Sequence, residues 1–216
     1  TDGEHIIQIR ARDNVGNSGE SVTSFMWTVD TTAPETIIDS VTDGHGRTIN
    51  IYGNSSSNSV LVQFAGTDTG VGVDHFECAI DNSDFVSCSS PLQIDSLTDG
   101  THTLSVMSVD NSTNNDPSPA LFSWTVDTTS PETSIDSVFD LNQISISNGD
   151  STKSTSLGFT FSGIDTDGVG IDHFECSIDN SDFVTCLVPL QFSNLEDGVH
   201  IIKLRAHDKV GNISPS

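Results

Sequence analysis

Basic residues are scarce. Seven Lys and Arg stand against 31 Asp and Glu in a chain of 216 residues, a formal net charge of −24. Nucleic-acid binding needs Lys and Arg to displace the counterions on phosphate, so DNA and RNA are excluded as partners. The same deficit disfavours an anionic membrane surface. No run of about 18 apolar residues occurs, so no helix of this segment inserts in a membrane. Aromatic side chains are few: two Trp, one Tyr and 11 Phe. Trp27 and Trp124 both fall on rows that read as core-facing, which leaves no aromatic platform for stacking sugars. Start Met and signal peptide are absent, so the chain reads as processed or as a piece of a longer one. Apolar residues make up 34%, a lean supply that still suffices for small sandwich-type cores.

What is present is repetition. Gly72–Cys88 reads GVDHFECAIDNSDFVSC and Gly170–Cys186 reads GIDHFECSIDNSDFVTC, with three of 17 positions different. TVDTTAPET (Thr28–Thr36) returns as TVDTTSPET (Thr125–Thr133), and Asp-Gly-x-His begins at Asp2, Asp99 and Asp197. Asp167 is an extra residue in the last copy. The chain therefore divides into the C-terminal part of one repeat (1–30, its last two strands), one complete repeat (31–127) and a third lacking its last strand (128–216). A window in a longer tandem array accounts for this. Strand donation is the alternative, with Val22–Asp30 of another copy completing the third repeat.

Each repeat reads as all-β. Helical periodicity is missing and alternation is frequent. Val60, Val62 and Phe64 share one face, as do Phe76, Cys78 and Ile80, Leu104 and Val106, and Phe122, Trp124 and Val126. Clusters such as Asp81-Asn82-Ser83-Asp84 and Thr98-Asp99-Gly100 punctuate the runs. About seven strands per repeat fit tandem immunoglobulin-like β-sandwich domains joined by short Pro-containing linkers.

VDTTAPET and VDTTSPET at the joints, FECAIDNSDFVSC and FECSIDNSDFVTC in mid-repeat, and Asp-Gly-x-His before a strand ending in Asp carry a family likeness. The chain resembles the tandem Ig-like repeats of large bacterial and archaeal extracellular surface proteins. The resemblance implies adhesins, stalks and surface fibres. One departure is Asp110-Asn111-Ser112-Thr113-Asn114, which replaces the Asp-x-x-Gly-Asn of Asp13–Asn17 and Asp208–Asn212.

Four cysteines occur as two pairs, each ten positions apart. A hairpin symmetric about Ser83 sets Cys78 opposite Cys88 on the core side, and Ser181 does the same for Cys176 and Cys186. Disulfides Cys78–Cys88 and Cys176–Cys186 follow, each contributing roughly 2–3 kcal/mol for so short a loop. A zinc site is the rival, but this spacing without paired His fits it poorly. Disulfides imply an oxidising location, extracellular or on the cell surface.

Asp68, Asp74 and Asp110 have the parity of core-facing rows at strand ends, all at the pole where the chain enters the repeat. Asp30 and Glu35 arrive there from the joint. In the third repeat the set is Asp127, Glu132, Asp165, Asp167, Asp172 and Asp208, with Asp167 adding a carboxylate. Calcium, which takes about six to eight oxygen ligands, resolves such crowding. The bland reading is a solvated surface with Asx caps on turns.

His5, His102 and His200 read as packed at the sandwich edge and bonded to a neighbouring loop. His75 and His173 read as outward surface residues. Sequons stand at Asn54, Asn111 and Asn212, and Ser55–Ser59 reads as an exposed loop. No Ser or Cys joins a His-Asp set, and a site repeated in every small sandwich without a cleft makes a poor enzyme. The sequence thus points to a non-catalytic segment of an extracellular filament, its partners neighbouring repeats or copies. The alternative is an adhesin or glycan-binding accessory module whose partners are cell-surface or matrix glycans.

Overall fold

The computed structural model describes residues 1–216, and every regular element in it is a strand. β1 (Gly3–Ile9) and β2 (Thr23–Val29) form a two-stranded antiparallel sheet. The middle repeat holds β3 (Glu35–Asp43), β4 (Gly53–Ser55), β5 (Val60–Thr67), β6 (Val73–Ile80), β7 (Val86–Cys88), β8 (Leu92–Ile94), β9 (Gly100–Asp110) and β10 (Ala120–Val126). The last repeat holds β11 (Glu132–Asp140), β12 (Leu157–Ile164), β13 (Ile171–Ile178), β14 (Val184–Cys186), β15 (Leu190–Phe192) and β16 (Ile202–Asp208).

In the middle and last repeats the strands are shared between two sheets. The middle repeat has β3-β5-β8 and β4-β10-β9-β6-β7; the last has β11-β12-β15 and β14-β13-β16. This is the immunoglobulin-like sandwich that the alternation of apolar residues calls for. One strand escapes the sequence reading. β4 is Gly-Asn-Ser, with no apolar pattern, and it is extended because it pairs in parallel with β10, Trp124 opposite Gly53.

By internal contacts the chain forms two compact units, 1–42 with 61–94 and 102–123, and 43–60 with 95–101 and 124–216. In the first, Val41, Val62, Phe64, Cys78, Leu104 and Val106 are buried. Phe64 meets Phe76 edge-on at 5.0 Å. In the second, Phe161, Cys176, Cys186 and Leu204 form a buried cluster with Phe174 and Leu190 against it. Each Val, Leu or Phe side chain among them that is fully removed from water contributes roughly 1.5–3 kcal/mol.

Both disulfides are present, with Cα–Cα distances of 5.8 Å. The hairpin register differs from a turn centred on Ser83. Cys78 lies opposite Val86, and Cys88 opposite Phe76. The tight turn is one residue earlier: Asp81 and Asn82 take positive φ of 50° and 62°, and Ser83 N–H donates to the Ile80 carbonyl at 2.9 Å. The bridge therefore runs diagonally across the ladder, and the same holds for Cys176–Cys186.

One further expectation is corrected. Ser55 and Ser57 are buried, and their hydroxyls are satisfied there: that of Ser55 by the Ser57 backbone and that of Ser57 by the Ser59 backbone. Trp27 sits at the ladder position that Trp124 occupies one repeat later, yet it is 41% exposed where Trp124 is 0%. The sheet that carries Trp27 has only two strands.

Candidate metal centres

Three strand ends and one linker build the first centre. Asp30 closes the run from β2, Asp68 follows β5, and Asp110 ends β9. One carboxylate oxygen from each lies within 4.8 Å of the other two. Asp30 and Asp110 are buried and Asp68 is half-buried. Asp127, Asp165 and Asp208 form the same arrangement in the last repeat, with Asp127 0% and Asp208 3% exposed.

Backbone amides hold the carboxylates in place. Asp30 Oδ2 accepts from Val71 N–H at 2.8 Å, and Asp68 Oδ2 from Gly70 and Gly72 at 3.0 and 2.7 Å. Asp127 Oδ2 accepts from Val169 at 2.9 Å, and Asp165 Oδ2 from Gly170 at 2.7 Å. Asp68 Oδ1 and Asp165 Oδ1 are buried without a hydrogen-bond partner. Oxygen-only donors, like charges in contact and an orphaned oxygen in each cluster fit a hard divalent cation.

An asparagine four residues after the last Asp completes each centre. Asn114 donates its side-chain amide to Asp110 Oδ2 at 2.8 Å and to the carbonyls of Asp30 and Thr32 at 3.1 and 3.3 Å. Asn212 does the same to Asp208 Oδ2, Asp127 and Thr129 at 2.7, 2.9 and 3.2 Å. Asp13 and Asn17 make the local half of this motif. The departure at Asp110–Asn114 does not change the loop, because Thr113 adopts a φ of 67° where Gly211 has 97° and Gly16 has 101°. The recurrence of Asp-x-x-x-Asn at all three places was the available signal.

Electrostatics differ between two of the carboxylates, one on a linker and one at a strand end. Burial pushes the Asp127 carboxyl up, bonds from Val169 and Thr129 pull against it, and the charges of Asp165 and Asp208 add to the rise; the net direction is upward. Burial also acts to raise Asp110. Bonds from Asn114, Ser112 and Thr113 outweigh it and hold that carboxyl below its ordinary range.

The other acidic candidates lie elsewhere. Glu35 and Glu132 are exposed at the first residues of β3 and β11. Asp74 and Asp172 are exposed, each bonded to the next residue's imidazole Nδ1, at 2.8 and 2.7 Å. Their core-facing parity is broken by a bulge: the β6–β9 register shifts between Val73 and His75, and the β13–β16 register between Ile171 and His173. An extra residue on one strand turns its side chain out of the alternation. Asp167 takes a φ of 60° on an exposed turn, so both centres present the same three-carboxylate set.

The recurring His residues bond to neighbouring loops. His102 Nδ1 reaches Asp81 at 2.6 Å and His200 Nδ1 reaches Asp179 at 2.7 Å, while His5 Nε2 meets the Thr1 carbonyl at 2.8 Å. Of the sequons, Asn54 is exposed on β4. Asn111 is tied through its amide to the Val71 and Gly72 carbonyls, and Asn212 is engaged as described above.

No protein-family model matches the chain, and no curated protein matches it. Among solved structures, the chain is similar to the fibronectin(III)-like modules of Clostridium thermocellum CbhA, at 16% identity and a TM-score of 0.40, over 84% of this chain and 90% of that one. It is similar to a Ca2+-stabilized adhesin that helps an Antarctic bacterium reach out and bind ice, at 14% identity and a TM-score of 0.36. It is also similar to a tetra-tandem repeat from the extending region of a large adhesion protein, at 19% identity and a TM-score of 0.33. Each of these two matches covers 98% of this chain but 54% of the other, so the chain spans about half the length of those adhesin structures.

Proposed function

We propose that this chain is a structural, non-catalytic segment of a long extracellular fibre or surface stalk, stiffened by calcium where one repeat joins the next. In this reading residues 1–30, 31–127 and 128–216 belong to three successive Ig-like repeats, and neighbouring repeats or copies are the partners. Asp30, Asp68 and Asp110 would hold one ion, and Asp127, Asp165 and Asp208 a second. The observation that carries the reading is the buried Oδ1 of Asp68 and of Asp165, unpartnered inside a three-carboxylate cluster beside each TVDTTxPE linker.

Two like charges about 4 Å apart cost about 4 kcal/mol at an effective dielectric of ~20. A bound calcium supplies the opposing charge and accepts the carboxylates together with carbonyls and water. Magnesium keeps its own waters and suits this set less. The chain's own groups do the rest. Asn114 and Asn212 hold the linker carbonyls, and Asp30 and Asp127 bind loop amides in return. Asp99 takes the Thr128 and Thr129 hydroxyls at 2.8 and 2.6 Å. Pro34 and Pro131, both buried, keep the preceding residue extended. A linker so fastened leaves few free torsions.

Small-angle scattering and thermal melting in calcium and in EDTA test this. The expected result is a larger maximum dimension and a higher melting temperature in calcium, both abolished by joint Asp68→Asn and Asp165→Asn substitution. Identical values in the two buffers overturn it.

A further inference from the structure

The sheet β14-β13-β16 carries a cluster of different chemistry on its outer face. Alternation along β13 buries Cys176 with Phe174 packed beside it, and turns His173 and Glu175 the other way. On β16, Leu204 and Ala206 are buried, and Arg205 and His207 point outward. The antiparallel register sets His173 opposite His207 and Glu175 opposite Arg205. One ligand atom from each of His173, Glu175 and His207 lies within 4.8 Å of the other two. The imidazoles stack with centroids 4.5 Å apart and planes at 15°.

Neighbouring groups prepare these side chains. Asp172 Oδ2 lies 2.7 Å from His173 Nδ1. A proton held on Nδ1 by a carboxylate leaves Nε2 with its lone pair, the usual order of carboxylate, imidazole and metal. His207 Nε2 stands 2.9 Å from Glu175 Oε2, so this nitrogen already faces the carboxylate. Arg205 donates to that same oxygen from Nε and Nη2 at 2.7 and 2.6 Å, so these bonds orient the carboxylate through Oε2 and do not occupy Oε1. Arg205 is itself seated over the Phe183 ring at 4.1 Å. Asp172 and the chain's excess of carboxylates offset its charge.

The other repeat offers a comparison. β6 has His75 and Glu77 at the matching places, but the residues across the ladder are Val109 and Met107. Of the two repeats, one completes the set.

We propose that the outer face of β13 and β16 binds a transition-metal dication, with Zn2+ as reference ion, through Nε2 of His173, Nε2 of His207 and the Glu175 carboxylate. Asp172 and Arg205 are positioning residues. Two imidazoles and one carboxylate suit zinc, and calcium prefers oxygen alone. The side chains of His173, Glu175 and His207 are 35%, 19% and 17% exposed, so solvent or a neighbouring group reaches the remaining coordination position.

The test is calorimetric titration of the whole chain with ZnCl2 in saturating calcium, which keeps the carboxylate triads occupied. One zinc equivalent is expected. It should vanish in His207→Val, the residue that the middle repeat uses, and survive in Asp127→Asn. Asp172→Asn should weaken zinc by roughly tenfold. Val109→His should add a second equivalent. Co2+ should develop the visible bands of nitrogen ligation in the parent chain and not in His207→Val. Absence of zinc binding, binding unchanged in His207→Val, or binding lost in Asp127→Asn overturns the proposal. The rise in melting temperature that calcium gives should be the same in His207→Val as in the parent, which separates this outcome from failure of the calcium reading.

Discussion

The side-chain amide of Asn212 donates to the main-chain oxygen of Asp127 at 2.9 Å, across a separation of 85 residues. The same nitrogen serves Thr129 and Asp208. A hydrogen bond contributes about 1 kcal/mol, and an acceptor left unmatched costs roughly 1–3 kcal/mol. Asn212→Ala is therefore expected to lower the unfolding free energy by about 2–3 kcal/mol. Asn212→Asp should lower it further, since it adds a negative charge beside Asp208 and Asp127. Urea unfolding in excess calcium measures both.

Thr113 stands in the left-handed region at a φ of 67° where the matching loops use glycine. A β-branched residue is strained there. Thr113→Gly should relieve the strain, less the added entropy of the unfolded chain, and stabilise by about 0.5–1 kcal/mol. The converse change, Gly211→Thr, should destabilise. Equal denaturation midpoints for Thr113→Gly and its parent would contradict the idea that this loop keeps its shape against the preference of its sequence.

The strands were legible wherever a row of apolar residues alternated. Val60, Val62 and Phe64 are buried as their spacing requires, and Trp124 is the buried centre of its strand. Asp68 and Asp110 stayed in phase with such rows and reached the cluster. Asp74 and Asp172 did not, because parity counts positions and cannot see a bulge that inserts one. β4 has no pattern of its own and exists through pairing with β10. Asn114 and Asn212 were passed over for a similar reason. Their partners Asp30 and Asp127 are adjacent only after folding.

Asp127 and Asp110 should contribute to the pH dependence of stability with opposite signs when metal is removed. Asp127 is raised in the folded state, chiefly by burial. The folded chain then binds its proton more tightly than the unfolded chain, and stability falls as pH rises through the folded pKa. Asp110 is lowered: burial acts upward, but the bonds led by Asn114 prevail. Its contribution is present above the unfolded value and is lost as pH falls through the folded one. Unfolding free energies in EDTA from about pH 3 to pH 7 should show this as differences from the parent. Asp127→Asn should gain on the parent as pH rises, and Asp110→Asn should lose on it. Parallel curves for the two variants would contradict the assignment.

The glycines at the two triads should separate one metal site from the other. A methyl group on Gly70 would run into the carboxylate of Asp30, and one on Gly168 into the carboxylate of Asp165. The two glycines are matching residues of the repeat, and the inserted Asp167 accounts for the different carboxylate each one faces. Neither has the positive φ that would strain an alanine, so the effect of substitution is steric and local. Asp30 also carries the bond from Val71, and Asp165 the bond from Gly170. Displacing either carboxylate breaks the loop contact and the ligand set together. Gly70→Ala should remove calcium from the first triad and Gly168→Ala from the second. Calcium titration by calorimetry should fall from two equivalents per chain to one in each variant, and to none in the double variant. The disulfides and cores lie outside both loops, so far-UV circular dichroism should not change. Retention of two equivalents in either variant would mean that the carboxylates do not hold the ion from where they stand.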